Sequence, residues 1–168
     1  MLQRLQTLFL CGILFLTTAL FFVEIWEQTN LNPGPEAPLK TTETGTLSLN
    51  SLTIIKAGEG QTQLNHSTFL LQVIAGVSIL LTIVIIFLYK NRLLQIRMVN
   101  LLNLLLAGLL TALIFEIQFA EKQLSGTIIN KSYEIGTFLP AISIILGFFA
   151  NKYIRKDEKL VRSMDRIR

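Results

Sequence analysis

The sequence predicts an all-α membrane protein: a four-transmembrane-helix bundle with a small outer β element between its first and second helices. Three observations carry this. Of 168 residues, 51% are hydrophobic and only 15% are charged, where a soluble domain carries roughly 25% charged residues. The mean hydropathy is +0.55. Four apolar stretches reach the length of about 20 residues that a helix needs to cross a hydrocarbon core roughly 30 Å thick. The length fits one compact unit, a single integral membrane domain over residues 1–168.

The first span runs from about Leu5 to Trp26. The basic start ending at Arg4 fits a signal peptide. However, the apolar run exceeds the usual 7–15 residues, and no A-x-A site follows at Phe21-Phe22-Val23-Glu24. Nor does Leu8-Phe9-Leu10-Cys11 make a lipoprotein cleavage site, which needs a small residue where Leu10 stands. The reading is a retained signal-anchor helix. Phe69–Tyr89 is 21 residues without a charge, about 31 Å as a helix. The third and fourth spans cover about 98–120 and 133–153, the last containing Pro140. None of these runs alternates as barrel strands do, and a bilayer admits only helices or closed barrels as spanning structures.

The outer segment covers about 27–67. Pro33, Gly34, Pro35 and Pro38 give residues 27–38 a linker composition. Leu47, Leu49, Leu52 and Ile54 then alternate with Ser48 and Thr53, as in strands, with Gly45 and Asn50-Ser51 as turns and a loop over 58–63. A hairpin is marginal alone. Leu124 to Asn130, with Thr127, Ile128 and Ile129, offers it a further strand. Asn65-His66-Ser67 and Asn130-Lys131-Ser132 match the glycosylation sequon, a pattern too short to carry weight.

Lysine and arginine bias orients the spans. Arg4, the connection Lys90, Arg92, Arg97 and the tail from Lys152 hold eleven basic residues; Lys40, Lys56, Lys122 and Lys131 are the other four. Both termini and the short connection are therefore expected in the cytoplasm. Small and polar residues form stripes for helix packing: Gly136, Pro140, Ser143, Gly147 and Asn151; Asn100, Asn103, Ala107 and Thr111; Gln72, Ala75, Ser78 and Thr82. The sharper reading of these stripes is a polar pathway for a solute. Packing is preferred, because none of these side chains is ionisable.

Little chemistry is written here. Cys11 is the single cysteine, which excludes an intrachain disulfide, a CxxC pair and a cysteine zinc site. There is no HExxH, GxSxG or phosphate-binding GxxxxGK[ST]. Cys11 and His66 fall at different depths and make no catalytic pair. The expectation is no enzyme, no cofactor and no metal, and a formal charge of +4 is too small to point to nucleic acid. Glu24, Glu116 and Glu134 form a candidate outer acidic cluster, for which solvated helix-end carboxylates are the plainer reading.

The C-terminal run is more informative. Leu160, Val161, Met164 and Ile167 make an apolar stripe among basic residues. The fourth helix is expected to continue as an amphipathic extension. Lys90, Arg92, Arg97, Arg155, Lys156, Leu160, Arg162, Met164 and Arg166 together form a candidate cytoplasmic docking face. Its partners would be the bilayer and anionic lipid headgroups, and a cytosolic or membrane protein.

Three segments also carry a resemblance: Met1-Leu2-Gln3-Arg4-Leu5-Gln6-Thr7, Phe87-Leu88-Tyr89-Lys90-Asn91-Arg92-Leu93-Leu94-Gln95-Ile96-Arg97, and Arg155-Lys156-Asp157-Glu158-Lys159-Leu160-Val161-Arg162-Ser163-Met164-Asp165-Arg166. The chain resembles a family of four-span membrane proteins from Bacteroidetes, domain of unknown function 4293. The resemblance extends over essentially the whole chain and implies a complete protein in the inner membrane of a Gram-negative cell. It supplies no catalytic or binding residue. The expected function is a non-enzymatic accessory or scaffold subunit; the alternative is a small transporter or channel using the inner polar stripe.

Overall fold

The structure is a computed structural model that describes residues 5–33, 40–57 and 62–165. Its elements in order are α1 (Leu5–Ala19), β1 (Glu24–Pro33), β2 (Lys40–Ser48), β3 (Ser51–Ala57), β4 (Thr62–Ser67), α2 (Phe69–Phe87), a 3-10 turn (Leu88–Lys90), α3 (Arg92–Gln123), β5 (Thr127–Tyr133) and α4 (Ile135–Asp165). Among the described residues, three helices are long and apolar enough to cross a membrane: α2, α3 and residues Ile135–Leu160 of α4.

The expected fold class is corrected. The β structure is no small element between the first two helices but a five-stranded antiparallel sheet in the order β4-β3-β2-β1-β5. The first span does not reach Trp26: α1 stops at Ala19 after 15 residues. Over the described residues that is about 22 Å at helical rise. The cause is the run Glu24-Ile25-Trp26-Glu27-Gln28-Thr29-Asn30. Its side chains alternate between a buried face, Trp26, Gln28 and Asn30, and a more open one, Glu27 and Thr29. Such alternation is strand periodicity. Residues expected as a linker from 27 therefore belong to the strand next to the β5 edge, paired with β2 through Pro33 and with β5 through Leu31.

The expected strands at 47–54 are present as β2 and β3, joined across Leu49 and Asn50. Gly45 is not a turn. It lies within β2 opposite Gln28, where a side chain would press on the Trp26 ring and on Leu124. Glycine within a strand often marks such a close approach. The strand expected around 127–129 also forms, but it pairs with β1, not with the 47–54 hairpin. Much of the expected loop at 58–63 lies outside the described residues; Thr62 and Gln63 open β4.

The chain divides into two compact units, with the divisions falling inside α1, α2, α3 and α4. One comprises 1–18, 74–109 and 140–168. Its core holds Leu10, Ile13, Ile85, Val99, Leu102, Leu106, Ala150 and Ile154, with Phe9 stacked on both Phe149 and Tyr153. The other comprises 19–73 and 110–139. In it the sheet and the helix segments bury Leu20, Ile25, Trp26, Leu47, Leu49, Leu52, Leu71 and Leu113 completely or nearly so. The turn between β2 and β3 is bonded to the start of α2: the Thr68 hydroxyl donates to the Leu49 carbonyl and the Gln72 amide to that of Asn50.

The packing stripes divide by helix. On α4, Gly136, Pro140, Ser143, Gly147 and Asn151 are all buried, and on α2 so are Ala75, Ser78 and Thr82. On α3 the inward face is instead leucine-rich: Val99, Leu102, Leu106, Leu109 and Leu113 are buried while Ala107 and Thr111 are exposed. Where α4 presents Gly147 and Asn151, α3 needs only Asn103 and Asn100 to meet them.

Candidate functional site

The unit containing residues 140–168 carries the expected docking face. α4 continues as one helix to Asp165, so this part of the tail is an ordered extension. The Arg92 guanidinium, from the first turn of α3, donates to the carbonyl of Asp157 at 2.8 Å. Arg155 donates to the Asn151 amide oxygen at 3.0 Å, and Asn151 in turn donates to Asn100. Two of the expected basic residues, Arg92 and Arg155, thus make ordering hydrogen bonds, and Arg97, Lys156 and Leu160 have exposed side chains. Gln95 closes the same region: its buried amide donates to the Ile85 carbonyl at the end of α2.

Leu5, Gln6, Tyr153, Lys156, Asp157 and Leu160 enclose a cleft of about 230 Å³. Its walls combine the apolar Leu5, Tyr153 and Leu160 with the polar Gln6, Lys156 and Asp157. The side chains of Lys90, Arg162 and Met164 and the whole of Arg166 lie outside the described residues.

The three glutamates have separate fates. Glu24 is exposed at the start of β1. Glu134 is held close by, its backbone N–H donating to the Ile25 carbonyl and its carboxylate accepting from the Ser132 hydroxyl. Glu116 is half-buried on α3. Among the described residues no group of three metal-ligating side chains comes together.

Sequence reasoning missed a buried polar chain in the sheet-containing unit. Lys56 pairs with Glu43 at 3.2 Å; the other Glu43 oxygen accepts the Ser125 backbone N–H at 2.9 Å; the Ser125 carbonyl accepts from Asn30; and Asn30 accepts from Gln28 at 2.8 Å. Gln28, Asn30 and Glu43 are at most 4% exposed. The chain fastens the turn between α3 and β5, in which Gly126 adopts φ 91°, a conformation glycine accepts without steric cost. The only available signal was the crowding of amides in 28–32, which also suits a linker.

A second ion pair joins the end of α3 to β5: Lys131 Nζ lies 2.7 Å from Glu121 Oε1 and 5.3 Å from the centre of the Tyr133 ring. The hydrogen bond to Glu121, aided by Tyr133, raises the Lys131 ammonium above the ordinary lysine range. It is therefore charged throughout the neutral and mildly alkaline range.

Comparison with known proteins adds one finding. A family model described as a domain of unknown function (DUF4293) matches residues 2–167. The chain belongs to this family. No curated protein matches it. Membership agrees with the resemblance carried by the start, the α2–α3 connection and the tail, and it brings no assigned activity with it.

Proposed function

We propose that this DUF4293 member is a non-enzymatic protein of the bacterial inner membrane, an accessory or scaffold subunit that receives a partner on a basic cytoplasmic face. The inner membrane, the Bacteroidetes source and the cytoplasmic termini belong to the same proposal. The observation that carries it is the bond from Arg92 to the Asp157 carbonyl. A basic flank that only orients a helix requires no fixed shape. Here the end of α4 is tied to the first turn of α3, beside a groove with Leu160 and Lys156 on its wall. Shape and charge together suit a protein segment better than lipid alone.

The transporter alternative gains less support. Ser78 and Thr82 return their hydroxyls to their own helix at 2.8 and 2.7 Å, Gln72 holds the β2–β3 turn, and Asn100 accepts from Asn151. These polar groups are engaged in holding helices and turns.

The test is co-purification from membranes in mild detergent. Leu160→Ser with Met164→Ser keeps every charge and should reduce recovery of bound protein about tenfold, with insertion unchanged. Undiminished recovery of the same proteins would reject the docking groove. Recovery lost only on Arg162→Gln with Arg166→Gln, and restored by lowering salt, would assign the face to anionic lipid instead.

A further inference from the structure

We propose that the cleft between the end of α3 and β5 is a headgroup site for a zwitterionic phospholipid, one bearing a phosphate and a primary ammonium. The cleft has a volume of about 280 Å³ and is lined by Ile114, Ile117, Glu121, Lys131 and Tyr133, among others. It is graded from apolar to charged. Ile114 precedes Glu121 by seven residues, about 10 Å along the helix axis. Ile114 and Ile117 thus make one end of the cleft mainly apolar, with Gln118 and Thr137 beside them, and the other end is an ion pair.

That gradient falls where α3 passes from apolar sequence into Glu121-Lys122-Gln123 and where α4 starts at Ile135. For a helix apolar enough to span a bilayer, this junction is the depth of the headgroups. The surrounding surface fits the same depth. Phe115, Ile135 and Phe138 stand exposed, at 65, 70 and 55% of their area. Apolar side chains left exposed at this depth suit contact with lipid tails.

Charge selects the occupant. Lys131 directs one N–H to Glu121 Oε1 and a second toward Tyr133, and an ammonium has three. The third can donate to a phosphate. The carboxylate of Glu121 accepts only, and has acceptor sites beyond the one filled by Lys131. A primary ammonium supplies N–H donors to it. The pair as a whole is neutral, so a ligand carrying only negative charge meets Glu121 without compensation. A quaternary ammonium has no N–H to offer. Phosphatidylethanolamine matches both halves, whereas phosphatidylglycerol and phosphatidylcholine each match one. The site is separate from the groove of the proposed docking face and shares no residue with it.

The experiment uses the full chain in detergent micelles and native mass spectrometry. Phosphatidylethanolamine, phosphatidylglycerol and phosphatidylcholine with identical acyl chains are offered at equal concentration. Retention of phosphatidylethanolamine should exceed that of each competitor by about tenfold, the scale of one hydrogen bond to a charged group. Glu121→Gln with Lys131→Met removes both charges at nearly the same side-chain length and should bring the ratios to about one. Should that pair of changes impair folding, Glu121→Gln alone, at a partly exposed position, should remove the preference over phosphatidylcholine. Equal retention of the three lipids by the wild type would overturn the proposal. So would a preference for phosphatidylglycerol, which would indicate a simple anion site. A phosphatidylethanolamine preference that survives in the double variant would place the site elsewhere.

Discussion

At Gly136 an added methyl group would stand 2.5 Å from the backbone carbonyl oxygen of Glu24, and at Gly147 it would run into the side-chain amide of Asn103. Both glycines are buried and lie on the same stripe of α4. Yet the two contacts differ in what can yield. A carbonyl inside a sheet cannot move without its strand, and this one neighbours the Ile25 carbonyl, which accepts both the Glu134 N–H and the Thr137 hydroxyl. A side-chain amide can rotate. Gly147→Ala should therefore cost about 1–3 kcal/mol by overpacking, and Gly136→Ala more. Thermal unfolding in detergent reads both, with the mostly exposed Phe148→Ala as a small-effect control. Asn103→Ala should relieve Gly147→Ala, so the double variant loses less than the two single losses added together. Strict additivity would mean that the amide does not meet Gly147. The stripe on α4 was legible because small residues at steps of three and four are rare enough to stand out. Its partner was not, because Asn103 meets Gly147 from a helix face that is otherwise leucine.

The elements show where hydropathy misleads. α2 is readable from composition alone, since nothing in Phe69–Phe87 competes with a span. Residues 20–26 read equally well as the end of a span, and only the alternation that begins at Ile25 and Trp26 argues otherwise. Trp26, the expected end of the first span, is fully buried in the sheet-containing unit, packed over Gly45. Pairing across 95 residues, as between Asn30 and Ser125, leaves no local trace. The carboxylate of Glu43 is central to that pairing. Glu43→Ala should leave the Ser125 N–H without its acceptor and Lys56 without its partner, costing about 1–3 kcal/mol for the lost bonds. Glu43→Gln retains an acceptor for Ser125 and should cost less. Amide hydrogen exchange should rise at Ser125 to Thr127 in the alanine variant before it rises in β2 or β3. Equal loss in both variants would place the stabilisation in the Lys56 pair instead of the turn.

For the whole molecule, the sheet constrains the membrane topology more tightly than any charge count. β1 to β4 precede α2, β5 lies between α3 and α4, and all five strands belong to one hydrogen-bonded sheet. A sheet cannot straddle a bilayer, because its edge groups would lie unpaired in hydrocarbon. If α2, α3 and α4 cross, α2 and α3 must therefore go out and back, and α4 must leave its extension opposite the sheet. The α2–α3 connection then shares a side with the extension. Among the described residues, Lys90, Arg92, Arg97, Lys152, Arg155, Lys156, Lys159 and Arg162 fall on that side, against Lys40, Lys56, Lys122 and Lys131 on the other. The basic side is expected to be cytoplasmic. Single cysteines replacing Lys122 and Lys159, both exposed, test this in a Cys11→Ser background, since Cys11 is itself exposed. In cells with a permeabilised outer membrane, a membrane-impermeant thiol reagent should label position 122 and spare position 159 until the inner membrane is opened. The reverse pattern would invert the orientation and place the proposed docking groove outside the cytoplasm. Labelling of both positions in intact inner membranes would mean that α4 does not cross, and the out-and-back scheme would fail with it.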